Sequence, residues 1–166
     1  MNKAIPTTWT GLVSSYSKEH IEVVLEQLCE GFNTSQFFAH NGMKMRVVNQ
    51  KIEAYVEMNP QLIGNMAYQI LHGGVAATML DSIGGLEAMS ELYRQGNEQD
   101  AEQIAHKVSR LATLDMRVDY LAPGRGQYFI ARADTLRLGR KGCTVRMNLE
   151  NDEGRLIATA IASYAY

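Results

Sequence analysis

The stretch Ile70-Leu71-His72-Gly73-Gly74-Val75-Ala76-Ala77-Thr78-Met79-Leu80-Asp81 constrains the fold more than any other. A polar, glycine-rich turn opens directly into a helical run, predicted from about Gly73 to Tyr93. From Val75 to Leu86 only Thr78, Asp81 and Ser82 carry polar side chains. A helix apolar nearly all round has to be covered on nearly every side. Asp81 then sits where charge is costly unless it is paired, hydrogen-bonded or used. At the helix start, Gly73 and Gly74 have no side chain to screen the free N–H groups of the first turn. Those donors and the positive end of the helix dipole suit an anion or a developing oxyanion. One element thus carries a candidate acid and a candidate oxyanion site.

The flanks supply the cover. Residues 1–14 read as loosely structured. Ser17 to Leu28 shows a helical face of Ile21, Val24, Leu25 and Leu28, with Gly31 as its stop. Asn33 or Thr34 can cap a short second helix through Phe37 and Phe38, closed at Asn41-Gly42. Met45 to Val48 and Ile52 to Met58 flank Asn49-Gln50-Lys51 as a hairpin, and Asn59-Pro60 breaks its second arm. Gln61 to Leu71 reads as a connector. Beyond the long helix, the polar run Arg94 to Arg110 reads as a solvated excursion, part helix, with a lid or partner contact as the alternative.

A β-meander completes the chain. Its strands are Leu111 to Leu121, Tyr128 to Leu138, the alternating Cys143, Val145, Met147 and Leu149, and Arg155 to Tyr164. In the last, Leu156, Ala158, Ala160 and Ala162 offer a flat face on which a helix can lie closely. The predicted class is α+β: an antiparallel sheet wrapped around one long buried central helix, with an N-terminal covering helix. A leader and helix over residues 1–34 precede a single domain over residues 35–166.

Composition narrows the function. A chain of 166 residues builds one domain with a real core. A net charge of −2 gives no electrostatic case for nucleic-acid binding. The two cysteines, Cys29 and Cys143, lie far apart and suit a reduced compartment as small core hydrophobes. No His-x-x-x-His or Cys-x-x-Cys spacing occurs, so no metal and no cofactor are expected. His20, His40 and His106 read as surface residues. The first residues show no apolar signal region, and the apolar stretches are short of a membrane span. The expectation is a cytoplasmic protein with no membrane segment.

The element order, with His72-Gly73-Gly74 and Asp81 nine residues after the histidine, resembles the hotdog fold of PaaI-type acyl-CoA thioesterases. The strand Thr113-Leu114-Asp115-Met116-Arg117-Val118-Asp119-Tyr120-Leu121-Ala122-Pro123 is similar to that family's third strand. Gly64-Asn65, Ile70-Leu71-His72-Gly73-Gly74-Val75 and Pro123-Gly124-Arg125-Gly126 look like its YigI-like branch. The resemblance covers roughly residues 35 to 165. It implies hydrolysis of acyl-CoA without a cofactor, with a lean toward the medium- and long-chain thioesters of fatty acid metabolism. Carried over, it implies Gly73 N–H and the Asn65 amide as carbonyl-binding donors and Asp81 as general base or nucleophile. Thr113 would orient that acid, and His72 would hold the loop in shape. Gly74 would help bind substrate, and Arg137, Arg140 and Lys141 either meet the CoA nucleotide or form a plain solvated turn. Two positions depart from the pattern. The family amide usually lies six residues before the histidine, where this chain has Met66, and the family hydroxyl is often serine.

Gly73 and Asp81 stand eight residues apart on one helix, which separates them by about 12 Å. One reacting carbonyl cannot lie within roughly 3–3.5 Å of both. Donor and acid must come from different copies, most simply two antiparallel helices across a two-fold axis. A homodimer or a dimer-of-dimers tetramer is therefore expected. A hotdog enoyl-thioester hydratase or dehydratase is the competing enzyme. The hydratase acid would stand at Ala67, and Gly73-Gly74 replaces the dehydratase's Phe-Pro-Gly. A non-catalytic acyl-CoA-binding module is the other alternative, and it has no need of Asp81.

Overall fold

The structure, a computed structural model, describes residues 21–166. The readings for residues 1–14 and for a helix start at Ser17 lie outside them. Helix α1 (Ile21–Asn33) buries Val24, Leu25, Leu28 and Cys29, extending the predicted face by one position. It does not stop at Gly31. It continues to Asn33, whose side chain donates to the Met45 carbonyl at 2.9 Å and accepts from the Met45 N–H at 2.7 Å. Two bonds to the neighbouring strand outweigh the roughly 1 kcal/mol helix penalty of one glycine. Helix α2 (Gln36–Asn41) starts after Ser35, not Asn33 or Thr34, and closes on Gly42 in the left-handed region at φ 66°.

Strands β1 (Met43–Val48) and β2 (Lys51–Glu57) pair with Val48 opposite Lys51, so Lys51 belongs to the strand. The turn is Asn49-Gln50 alone, at φ 51° and 61°, the double left-handed geometry that matches strand twist. The connector also holds more structure than expected, since β3 (Ile63–Asn65) and β4 (Ile70–Leu71) form a small antiparallel ladder. Helix α3 (Gly73–Gln95) follows, then α4 (Ala101–Arg110). The polar segment is part helix and mostly exposed, as expected, with α4 burying only Ile104 and Val108 on one face.

The remaining strands are β5 (Ala112–Tyr120), β6 (Tyr128–Leu138), β7 (Gly142–Asn151) and β8 (Leu156–Ala165). The main sheet runs β1-β2-β6-β7-β8-β5, antiparallel throughout. Helix α3 lies across it, touching β2, β5, β6, β7 and β8. Met79, Leu80, Ile83 and Leu86 meet Val56, Phe129, Val145, Met147 and Leu149, all essentially inaccessible to solvent. Each such side chain contributes roughly 1.5–3 kcal/mol by leaving water. Ala158, Ala160 and Ala162 give the helix a flat bed, and the buried residues of α1 join the same core. This is the hotdog architecture.

Leu156 does not share that bed. The β7–β8 register shifts between Leu149, opposite Ala158, and Glu150, opposite Leu156. The extra residue is Ile157, so Ile157 and Ala158 both point inward and Leu156 turns out to solvent. A β-bulge inserts one residue in this way and reverses the alternation beyond it.

One side of α3 stays open within the single chain. Thr78, Asp81 and Ser82 are only half-buried. Alongside, β5 is an edge strand, and Leu114, Tyr120 and Leu121 at and just beyond it are 69%, 57% and 56% exposed. The expectation that the chain covers its own helix all round is corrected here, and Asp81 is a half-open acid. No described helix is long and apolar enough to cross a membrane.

Candidate active site

The start of α3 is built around His72, its N-cap. His72 Nδ1 accepts from the Gly74 N–H at 2.8 Å, which fixes the ring across the first turn. The His72 carbonyl takes the N–H groups of Val75 at 3.0 Å and Ala76 at 3.3 Å. Of the first-turn donors, only the Gly73 N–H meets no acceptor among the described residues. The expectation of two open donors is therefore corrected at Gly74, whose N–H is occupied by the histidine cap. Gly74 is needed for a different reason, because a Cβ there would stand 2.9 Å from Nδ1.

Gly64 permits the next approach. A Cβ on it would lie 2.6 Å from the His72 Cα, and the His72 N–H donates to Leu62 O at 2.8 Å. Asn65, beside Gly64, uses its carboxamide oxygen to accept from Ala67 N at 3.0 Å and Tyr68 N at 3.2 Å. Its oxygen is thus fixed by the β3–β4 turn, and its NH2 end is left to donate.

Two turns along the helix, Asp81 Oδ1 accepts from Thr113 Oγ1 at 3.0 Å, across from β5. The Asp81 backbone carbonyl accepts from the Tyr164 hydroxyl at 3.0 Å. Burial raises the Tyr164 pKa, and the Asp81 charge raises it further, so the hydroxyl stays a neutral donor. Gly84 clears room for that hydroxyl, which a Cβ at residue 84 would strike. Oδ2 of Asp81 has no partner among the described residues.

Sheet register links this acid to the basic turn. Thr113 pairs with Tyr164, Tyr164 with Cys143, and Cys143 with Leu138, in one row across the sheet. On either side of Leu138, Arg137, Arg140 and Lys141 line an open cleft of about 260 Å³ with Leu114, Ser163 and Tyr164. Tyr166 holds the turn, its hydroxyl lying 2.6 Å from Gly139 O and 3.1 Å from Gly142 O. The cleft thus places three cations along the sheet from the Asp81–Thr113 pair.

The acid on α3 that is truly desolvated is one the sequence did not single out. Burial raises the Glu87 pKa, partly offset by the Arg94 guanidinium 3.4 Å away. Glu53 is likewise buried and held by Arg46 and Arg132. Both are tied into ion pairs and leave the open face of α3 to Asp81. Among the described residues no group of three or more His, Cys, Asp and Glu side chains is arranged to hold a metal ion.

A sheet folded round one helix, with a carboxylate on its open face and an unpaired N–H at its start, defines the class of hotdog hydrolases. Residues 68–158 match the family model of the thioesterase superfamily. Medium/long-chain acyl-CoA thioesterase YigI of Escherichia coli K12 is 41% identical over 105 residues, 63% of this chain and 68% of that one. A Shewanella oneidensis protein related to the thioesterase superfamily superposes with a TM-score of 0.79 at 36% identity, over 90% of this chain and 99% of that chain. BH2602 of Bacillus halodurans, solved with CoA, shares the fold with a TM-score of 0.63 at 18% identity, over 93% of this chain and 96% of its own. The chain belongs to the thioesterase superfamily and is a thioester hydrolase.

Proposed function

We propose that the protein is a cytoplasmic acyl-CoA thioesterase of fatty acid metabolism that takes medium- to long-chain substrates at sites shared between two copies. One observation carries this reading: Thr113 holds the Asp81 carboxylate on an uncovered helix face, while the free Gly73 N–H lies two turns away. A rise of ~1.5 Å per residue separates the two groups by about 12 Å. A partner helix running antiparallel brings its Gly73 to this chain's Asp81, and the reverse. The exposed β5 edge, with Met66 74% and Tyr68 63% exposed in the β3–β4 loop, supplies the apolar surface such a partner would cover.

In the reaction, Asp81 takes a proton from water as the water oxygen bonds to the thioester carbonyl carbon. The carbonyl oxygen becomes an oxyanion, held by the Gly73 N–H and the Asn65 NH2. Collapse breaks the C–S bond, and the thiolate of CoA leaves and takes up a proton. Direct attack by Asp81 through an anhydride uses the same placement. Arg137, Arg140 and Lys141 suit the phosphates of CoA, since guanidinium groups bind phosphate in a fork and lysine as a point charge. The relative named for medium- and long-chain acyl-CoA, and a shared fold solved with CoA, support the substrate class.

The test is thiol release from a panel of acyl-CoAs by the wild type and by Asp81→Asn. General-base contributions of roughly 10²–10⁴-fold set the expected loss in kcat. Thr113→Val should lose less, because it removes one hydrogen bond to the acid and not the acid. A folded Asp81→Asn protein with wild-type turnover would overturn the assignment.

A further inference from the structure

We propose that Tyr120 is a positioning residue for the oxyanion-binding end of α3, an inference that rests on the thioesterase reading above. Tyr120 closes β5, opposite Ala158. Its place is set by the bulge in β8, because the carbonyl of the extra residue, Ile157, accepts from both Leu121 N at 2.9 Å and Ala122 N at 3.1 Å. From that anchored end the side chain reaches back across 47 residues of sequence to α3. Its hydroxyl donates to the Gly73 carbonyl at 2.9 Å.

The ring itself lies against Gly73. A Cβ at that glycine would stand 3.3 Å from Tyr120 Cε1 and 3.4 Å from Cζ, so the bare backbone lets the ring settle there without being pushed aside. Within the single chain the tyrosine remains 57% exposed. Its ordered feature is the bond to the peptide that follows Gly73.

That peptide is part of a chain of bonds. Tyr120 O–H donates to Gly73 C=O, and the N–H on the other side of the same peptide, Gly74 N–H, donates to His72 Nδ1. A hydrogen bond accepted at a carbonyl strengthens the donor across the amide. Tyr120 therefore tightens the histidine cap, and cap and hydroxyl together fix the plane of the Gly73–Gly74 peptide. The Gly73 N–H belongs to the preceding peptide, whose His72 carbonyl is held by the N–H groups of Val75 and Ala76; with both planes fixed it points in one direction while it meets no acceptor among the described residues. Preorganised donors of this kind work because they need not reorient as charge develops.

Tyr120→Phe keeps the ring contact and removes only the hydroxyl. The predicted signature is a fall in kcat of roughly fivefold to tenfold, the scale of one lost hydrogen bond, with KM changed by less than about twofold. Two unreactive analogues separate positioning from packing. A ketone, with CH2 in place of sulfur, keeps the carbonyl oxygen, and a thioether, with CH2 in place of the carbonyl, lacks it. Tyr120→Phe should weaken the ketone relative to the thioether by about the factor lost in kcat. Tyr120→Leu, which also removes the ring, should do so further. A wild type that releases no thiol from any acyl-CoA overturns the functional reading of the site. An active wild type, with unchanged kcat or an unchanged ketone-to-thioether ratio in Tyr120→Phe, overturns the role of Tyr120. Equal weakening of both analogues, or dissociation of the variant in sedimentation without a change in that ratio, does the same.

Discussion

At the residue scale, two thiols mark the interior more sharply than any charged group. Burial pushes Cys29 up to about 12, with the Glu26 charge adding to it, and pushes Cys143 up to about 11. An unfolded thiol ionises near 8.5. Below that pH both states hold their protons and the cysteines make no pH-dependent difference. As pH rises past it, the unfolded chain gives up protons that the folded chain keeps, and linkage favours unfolding. Tyr164, also raised by burial, acts in the same direction at higher pH. Denaturant midpoints should therefore fall steadily between about pH 8.5 and pH 10. A Cys29→Ala/Cys143→Ala double variant should start lower and fall less steeply, and a wild type with a flat profile would contradict these environments. The contacts of single residues were the least legible part of the sequence. Thr113 and Asp81 lie 32 residues apart, Tyr120 and Gly73 lie 47 apart, and no periodicity links either pair. The first pair was implied by family resemblance, and the second depends on a bulge that alternation does not announce.

At the element scale, α3 is both the core of the fold and the frame of the site. Its length and the four meander strands were readable because long apolar periodicity is a strong signal. The strands β3 and β4 were not, since three and two residues are too few to show alternation. The end of α1 was misplaced because Gly31 is a local signal, and the bonds from Asn33 to Met45 are tertiary. Gly84 shows how closely the helix fits its bed. A methyl group there would strike the Tyr164 hydroxyl and would also come within 2.9 Å of Met147 Sδ. Overpacking of this sort costs typically 1–3 kcal/mol. Gly84→Ala should lower the melting temperature by several degrees, on the order of 2–8 °C per kcal/mol. It should also reduce kcat, because the hydroxyl it displaces holds the carbonyl of Asp81. A variant as stable and as active as the wild type would show that the bed has slack.

For the whole molecule, the shared-site proposal turns on the open face of α3 and the unpaired edge of β5. Sedimentation should find a dimer or a dimer of dimers, and a fully active monomer would end the shared-site reading. A sharper measurement mixes two inactive variants, Asp81→Asn and Asn65→Ala, after joint refolding. Asn65 adjoins Gly64, which packs on His72 at the start of α3, so in each proposed site it comes from the same copy as Gly73 and Asp81 comes from the other; a mixed pair contains one site with both groups intact and one with neither. Random pairing at equal amounts makes half the dimers mixed, and activity should return to about a quarter of the wild-type level. No recovery would place both groups of a site on one chain. A site shared in this way would tie output to synthesis. On the shared-site proposal, while copies are scarce, sites appear with the square of chain abundance, so a twofold drop in expression cuts turnover about fourfold. Once pairing saturates, the response would become linear, and the apolar strip along β5 would act as a threshold below which a cell that makes the protein gains little hydrolysis.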